Sequence, residues 1–182
     1  ALAGIWPNFK NYSIVLDLGA NVECSDKNLV EFSIMGSELY KAIYKKDNVV
    51  AGLLNIGSEE IKGNDQIKNA HIELEENKNL NFNYRGYVEG NEIKNGEVHV
   101  IVTDGFTGNV ALKTAEGTAN FITTEIKQSF SKSFFSKVGY IFSYFAFKEI
   151  KKKLDPRRYN GAIFLGLNAP VIKSHGGADA YA

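Results

Sequence analysis

Apolar residues follow two rhythms along this chain. Short unbroken runs, Ser13-Ile-Val-Leu-Asp-Leu18, Val49-Val-Ala-Gly-Leu-Leu-Asn-Ile56 and Val98-His-Val-Ile-Val-Thr103, are rich in β-branched residues and read as buried strands. Elsewhere apolar residues recur at three- and four-residue steps: Leu29, Phe32, Met35, Leu39 and Ala42 with Ile43 beside them, then Leu112, Ala115, Ala119, Ile122 and Ile126. Those steps predict one helix from Asn28 to about Lys45 and another beginning at Asn109, a good N-cap. A helix with a polar surface is predicted from about Asp65 to Asn77. Ala1 to Tyr12 reads as a lead-in, with Pro7 breaking any helix, and Asn81 to Tyr84 as a weak strand entering a loop from Arg85 to Gly96. Past the third strand, two helical arms are predicted over about 110–153, ended by Asp155-Pro-Arg-Arg158. The tail from Ala162 to Gly177 alternates strand and turn signals.

Strands alternate with helices at least three times, the pattern of an α/β domain whose mostly parallel sheet has helices packed around it. The 182 residues suit one domain, 1–182. Each clear strand empties into glycine and asparagine. Such loops gather on one edge of a parallel sheet, so Gly19-Ala-Asn21, Asn55 to Gly63 and Asp104 to Asn109 are expected to meet at one cleft.

Charge and composition narrow the choice of partner. Lys+Arg and Asp+Glu both number 21, so no basic field calls for nucleic acid. A single cysteine, Cys24, cannot make an internal disulfide and fits a reducing compartment. No secretory signal opens the sequence, and the apolar run Val138 to Phe147 is far short of the roughly 20 residues a bilayer span needs. The start at Ala1, without an initiator Met, is expected of an excised piece of something longer.

The candidate chemistry sits at the strand ends. In Asp104-Gly-Phe-Thr-Gly-Asn109, glycine-turn N–H groups and a helix dipole would together attract an anion; the plain alternative is a tight βα turn with no ligand. In Asn55-Ile-Gly-Ser-Glu-Glu-Ile-Lys-Gly63, Lys62 can meet an anionic ligand while Glu59 or Glu60 orients it, or the segment is a solvated charged turn. Lys113 can reach back to the same anion, though alone it reads as a surface lysine. Lys173 and His175 flank Ser174, and a histidine can titrate near neutrality or donate to a phosphate. His71 and His99 read as structural, and three histidines so far apart give no metal-ligand spacing. Cys24 reads as an incidental thiol. Neither a Walker A motif nor a complete G-x-G-x-x-G occurs.

Four stretches in this order, Leu16-Asp-Leu-Gly-Ala-Asn21, Gly52-Leu-Leu-Asn-Ile-Gly-Ser-Glu-Glu-Ile-Lys-Gly-Asn64, Asp104-Gly-Phe-Thr-Gly-Asn-Val-Ala-Leu-Lys113 and Ala169-Pro-Val-Ile-Lys-Ser-His-Gly176, resemble the bacterial acyl-ACP:phosphate acyltransferases, the PlsX family. The resemblance implies transfer of a fatty acyl group from acyl carrier protein to orthophosphate, giving acyl phosphate for phospholipid synthesis. It implies a three-layer α/β fold related to the isocitrate and isopropylmalate dehydrogenases and the phosphate acetyltransferases, in a homodimer. The family's N-terminal portion and the helix after its His-Gly segment are missing here. Gly177 and Ala178 stand where small hydroxylated residues often follow.

This chemistry needs little acid–base help. Phosphate is already anionic, and a simple thiol leaves with pKa about 8.5. Capture of phosphate beside the carbonyl and relief of charge in the tetrahedral intermediate are what remain. Lys62, Asn109 and His175 are expected to act on the reaction, with His175 either protonating the thiolate or binding phosphate. Asp17, Gly19, Asn21, Asn55, Gly57, Glu60, Gly63, Asp104, Gly105, Gly108, Lys113 and Lys173 are expected to hold phosphate or substrate, with no metal and no cofactor. With Cys24 as the only thiol, direct attack is favoured over an acyl-enzyme. The rival readings are a short-chain phosphate acetyl- or butyryltransferase using coenzyme A, and a non-catalytic dimerisation or docking fragment. A nicotinamide enzyme has fold kinship alone behind it.

Between the helical arms, Phe130, Phe134 and Phe135 mix with serine and lysine, and Lys151-Lys-Lys153 and Arg157-Arg158 follow. Aromatics beside cations predict a tip that rests on an anionic membrane. The alternative is that these rings fill a dimer core. The expected location is the cytoplasm, against the inner face of the cell membrane.

Overall fold

The three apolar runs become neighbours in one sheet. The computed structural model describes residues 1–154 and 161–174, and the side chains of 151–154 are outside that description. The described strands are β1 (Leu2–Pro7), β2 (Tyr12–Leu16), β3 (Val50–Asn55), β4 (Asn83–Glu89), β5 (Val100–Val102), β6 (Gly161–Phe164) and β7 (Val171–Ser174), in the order β4-β3-β5-β2-β1-β6-β7. β4, β3, β5 and β2 run parallel, whereas β1, β6 and β7 join by antiparallel pairings, so five of the seven strands point one way. The helices are α1 (Asp26–Tyr44), α2 (Asp65–Glu76), α3 (Gly105–Ser131) and α4 (Phe134–Leu154), with a 3-10 turn at Ile93–Asn95.

Period-two alternation sorts the side chains of these strands. Ile14, Leu16, Ala51, Leu53, Val100 and Val102 face α1 and α2, where Leu29, Phe32, Tyr40, Ala70 and Leu74 complete one core. Each large apolar side chain buried there contributes about 1.5–3 kcal/mol. Val15, Leu54, Val88 and Ile101 face the other way, covered by Leu2, Ile93 and, from the first turns of α3, Leu112. The two faces are therefore unequally clad among the described residues. Two full helices lie on one, and the start of α3 and a short turn lie on the other.

Several element boundaries differ from expectation. Ala1 to Tyr12 is no lead-in: Leu2–Pro7 is a core strand, with Leu2 and Ala3 buried. Pro7 ends it where the chain turns back, and Asn8 fastens that turn by accepting from the N–H groups of Lys10 and Asn11. Helix α1 starts at Asp26 because Ser25 and Asn28 close a capping box. It stops at Lys45, which takes a left-handed φ of 54°. The weak strand at Asn81 to Tyr84 is in fact Asn83–Glu89. A register shift between Ala51 and Leu53, with Gly86 at φ +96°, breaks the alternation that would have revealed it. Arg85 beside that bulge pairs with Glu92 at 3.0 Å and Glu97 at 3.9 Å.

Candidate functional site

The parallel register sets Leu16 opposite Val102 and Val102 opposite Leu53, so the loops leaving β2, β5 and β3 emerge side by side at one sheet edge. Asp17 begins the first loop and is fully buried. Its Oδ1 accepts from the N–H groups of Leu2 (2.9 Å), Gly19 (3.1 Å) and Ala20 (2.9 Å), and its Oδ2 from Asn21 N–H (2.8 Å) and Nδ2 (2.7 Å). Burial pushes the Asp17 pKa up, but these hydrogen bonds outweigh it and hold the carboxyl below its ordinary value. Asp17 was expected to hold substrate. Both of its oxygens are instead spent on the protein's own amides.

The second loop repeats this device. Helix α3 begins at Gly105, and its N-cap is Asp104 rather than Asn109: the carboxylate accepts from Thr107 N–H and Thr107 Oγ1, each at 2.8 Å. Gly105 N–H donates to Asn21 O at 2.8 Å and Gly108 N–H to Asp104 O at 2.9 Å. The amides of Gly105, Thr107 and Gly108 are thus occupied, that of Phe106 has no acceptor among the described residues, and Asp104 has put a negative charge where the helix dipole would have drawn one. The loops also interlock sterically. A Cβ on Gly105 would lie 2.3 Å from Asn21 O, and one on Gly108 only 1.9 Å from Asp17 O. Gly19, at φ +117°, faces Asn109, whose Cβ would lie 3.4 Å from a Cβ placed there. Asn109 is exposed one turn into α3, directly over the first loop.

The third loop is the open one. Asn55 is buried and braces it, its Nδ2 donating to Lys62 O at 3.2 Å and its Oδ1 accepting from Ile56 N–H at 2.9 Å. Gly63 lies against the same amide group, and Asn64 caps α2. Lys62 closes a turn through its N–H to Glu59 O, and the side chains of Glu59 and Lys62 fold over the buried Gly57. Among the described residues, nothing accepts from the N–H groups of Gly57, Ser58 or Gly63. Glu60 and the Lys62 side chain are exposed.

Other candidates do not join this cluster. Lys113 is engaged with Glu116 at 2.8 Å. Lys173 lies on β7, separated from β2 by β1 and β6, and pairs with Ala162 as β7 runs away from the loop edge. His175 lies outside the described residues, as do Asp155-Pro-Arg-Arg158, Gly177 and Ala178. Cys24 is half-buried with Sγ 3.9 Å from Asn21 O, and burial pushes its thiol pKa up, against a nucleophile. The two remaining histidines are structural, as expected: His71 bonds Tyr84 Oη at 2.8 Å, and His99 Nδ1 accepts from Val50 N–H at 2.9 Å.

Phe130 does not belong to an exposed tip. The last turn of α3 brings its ring to 5.6 Å from Tyr140 and 4.8 Å from Phe147 of α4. Phe134 and Phe135 are exposed, as are Ile141, Phe142 and Phe145, three residues the sequence reading passed over. Their spacing along α4 was the signal that could have found them. Two further readings were available and missed. Asp104-Gly-Phe-Thr107 is a cap signature, and an aspartate just before Gly-Ala-Asn is a side chain able to bond its own turn.

The model of the fatty acid synthesis protein family matches residues 1–182. The chain belongs to that family. Within it, the chain is 58% identical over 179 residues to a phosphate acyltransferase of Pelagibacter ubique, covering 98% of this chain and 54% of that protein. It is 50% identical to the phosphate acyltransferase of Paramagnetospirillum magneticum, covering 100% of this chain and 51% of that one. With the Agrobacterium fabrum phosphate acyltransferase it shares 49% identity, over 99% and 51% respectively. The chain thus spans about half the length of these curated relatives. Among solved structures, the EutD phosphotransacetylase of Staphylococcus aureus aligns with 65% of this chain and 42% of its own at TM-score 0.48 and 16% identity, a likeness too slight to bear on function.

Proposed function

We propose that this chain carries one wall of a phosphate acyltransferase site. There an oxygen of orthophosphate bonds to the thioester carbonyl carbon of acyl-acyl carrier protein, and the carbon–sulfur bond breaks. The products are acyl phosphate and a thiolate that takes a proton from His175 or from solvent. The observation behind this reading is the meeting of three strand-end loops on a chain of this family. Lys62 and Asn109 are the phosphate ligands, because both are exposed, Lys62 on the loop after β3 and Asn109 in the first turns of α3 after the neighbouring strand β5. The free N–H groups of Gly57 and Ser58 beside Lys62 assist them, whereas Asp17 has taken the amides of Gly19, Ala20 and Asn21, and Asp104 that of Thr107. His175 completes the donor set as thiolate acid or phosphate ligand.

The fold is read as the three-layer isocitrate/isopropylmalate dehydrogenase type, with α3 and α4 forming a helical hairpin. The exposed side of α4 supports two further parts of the proposal: Ile141, Phe142 and Phe145 meet a second copy in a homodimer, and Phe134 and Phe135 meet an anionic membrane surface. Among the described residues no helix is long and apolar enough to cross a bilayer.

The test is kinetic, in the full-length protein with acyl-acyl carrier protein and phosphate. Loss of one charge-assisted hydrogen bond is worth about 1.5–3 kcal/mol, so Lys62→Ala and Asn109→Ala should each lower phosphate-dependent turnover roughly 10- to 150-fold. A folded double variant with wild-type kinetics would overturn the assignment. Consumption of acyl-CoA in place of the carrier-protein thioester would replace the donor.

A further inference from the structure

Asp17 presents a charge without a cation. Among the described residues no lysine, arginine or histidine pairs with it, and no part of it meets solvent. Its five donors come from two places: the N–H of Leu2 on β1, and the amides of Gly19, Ala20 and Asn21 with the Asn21 side chain. Uncompensated, such a buried charge costs several kcal/mol, so the loop can only fold around the carboxylate in the geometry that delivers all five bonds.

Two lines lead from that carboxylate to the candidate site. Through Oδ1 it fixes Gly19, the surface on which Asn109 rests. Through Oδ2 it fixes Asn21, whose carbonyl accepts the first N–H of α3 at 2.8 Å from Gly105. We infer that Asp17 is a positioning residue: its carboxylate sets the placement of Asn109 and of the start of α3, and so the phosphate geometry of the site. The inference rests on the reading of Asn109 as a phosphate ligand. An asparagine in its place offers one acceptor oxygen for two clusters of donors and turns an N–H group toward the Asn21 amides.

The experiment uses the full-length protein as wild type, Asp17→Asn, Asn21→Asp and the exchanged pair Asp17→Asn/Asn21→Asp. In the pair, the amide at 17 can donate to the carboxylate at 21. Rates are normalised to folded protein, and amide hydrogen exchange is followed at Gly105, with Ile101 of β5 as reference. Losing one charge-assisted bond, Asp17→Asn should raise the phosphate KM and speed exchange at Gly105, each by roughly tenfold or more. The KM for the acyl donor and exchange at Ile101 should hold within about twofold, a split that general destabilisation would not give. The exchanged pair should lie nearer to wild type than either single variant. If Asp17→Asn does not fold, Asn21→Asp, altered at an exposed position, must show the same KM split. An unchanged phosphate KM in every folded variant overturns the inference, as does a pair whose defects simply add. Failure of the underlying site reading looks different. Lys62→Ala and Asn109→Ala would then leave the phosphate KM alone, while exchange at Gly105 would still respond to Asp17→Asn.

Discussion

Replacing glycine by alanine at two points of α3 should give opposite results. At Gly117 nothing lies within 4 Å of an added Cβ, and the residue is exposed in the helix interior. Alanine there should raise stability by about 0.5–1 kcal/mol, the difference in helix propensity. At Gly108 the same propensity gain meets a Cβ placed 1.9 Å from the carbonyl oxygen of Asp17. Relieving that contact even to 3.0 Å needs a displacement of about 1.1 Å (3.0 minus 1.9), and the obstacle is backbone rather than a mobile side-chain end. The start of α3 must lift off the β2 loop, loosening the Gly105 N–H to Asn21 O bond. Overpacking of this kind costs about 1–3 kcal/mol and sometimes more, with a hydrogen bond of about 1 kcal/mol at risk. The clash outweighs the propensity gain, for a net loss of about 1–3 kcal/mol. Urea unfolding of both variants against wild type, in the full-length protein, measures the two signs directly. An unfolding midpoint for Gly108→Ala at or above the wild-type value would refute the close approach of α3 to Asp17.

Two further outcomes are expected. Burial, with Lys46 and Lys10 nearby, holds the His99 pKa below its ordinary value of about 6.5, and the Val50 N–H donated to Nδ1 requires that nitrogen unprotonated. Protonation therefore favours the unfolded chain: the His99 contribution is complete above about pH 6.5 and fades as pH falls through the folded value, at up to about 1.4 kcal/mol per pH unit. Urea midpoints between pH 7.5 and 5 should fall less steeply in His99→Gln than in wild type, and parallel curves would count against a neutral buried imidazole. On α4, Phe134→Asp with Phe135→Asp removes two rings that are 76% and 85% exposed. If the proposed dimer and membrane contact hold, the double variant should stay folded and dimeric yet cease to sediment with anionic liposomes, since each ring inserted in lipid is worth up to about 1.5–3 kcal/mol. Continued sedimentation, or dissociation into monomers, would assign those rings elsewhere.

Much of the architecture was legible because its signals are local. Val100, Ile101 and Val102, or Ala51 to Leu54, announce a strand by composition, and the glycines and asparagines that follow announce where it stops. Strand β1 escaped because Leu2–Pro7 contains Ala3, Gly4 and Pro7 in six residues and becomes a strand only by pairing with β2 and β6. Tertiary pairing overrode weak propensity there. The convergence of three loops was readable, since it follows from strand direction alone. Which amides those loops leave free was not. Whether Asp17 turns outward to a ligand or back into its own turn depends on Leu2 arriving from β1, and Asp104 takes the cap that Asn109, five residues on, was expected to hold. For Asp17 one of the five donors, Leu2, is distant in sequence, whereas the partner of Asp104 is Thr107, three residues on.

The bulge in β4 reaches beyond the site. A parallel strand at the rim of a sheet offers a row of unpaired N–H and C=O groups that any other extended chain can adopt as a template. Here the kink at Gly86 interrupts that row, and the Arg85 guanidinium with its two glutamates stands beside the break. A foreign strand docking on β4 would have to change register midway and displace an ion-pair cluster. Among the described residues β4 is an outermost strand, and growth of the sheet into fibrils from this rim is therefore disfavoured. Mending the bulge, by deleting Gly86, would leave a more regular sheet and a stickier protein.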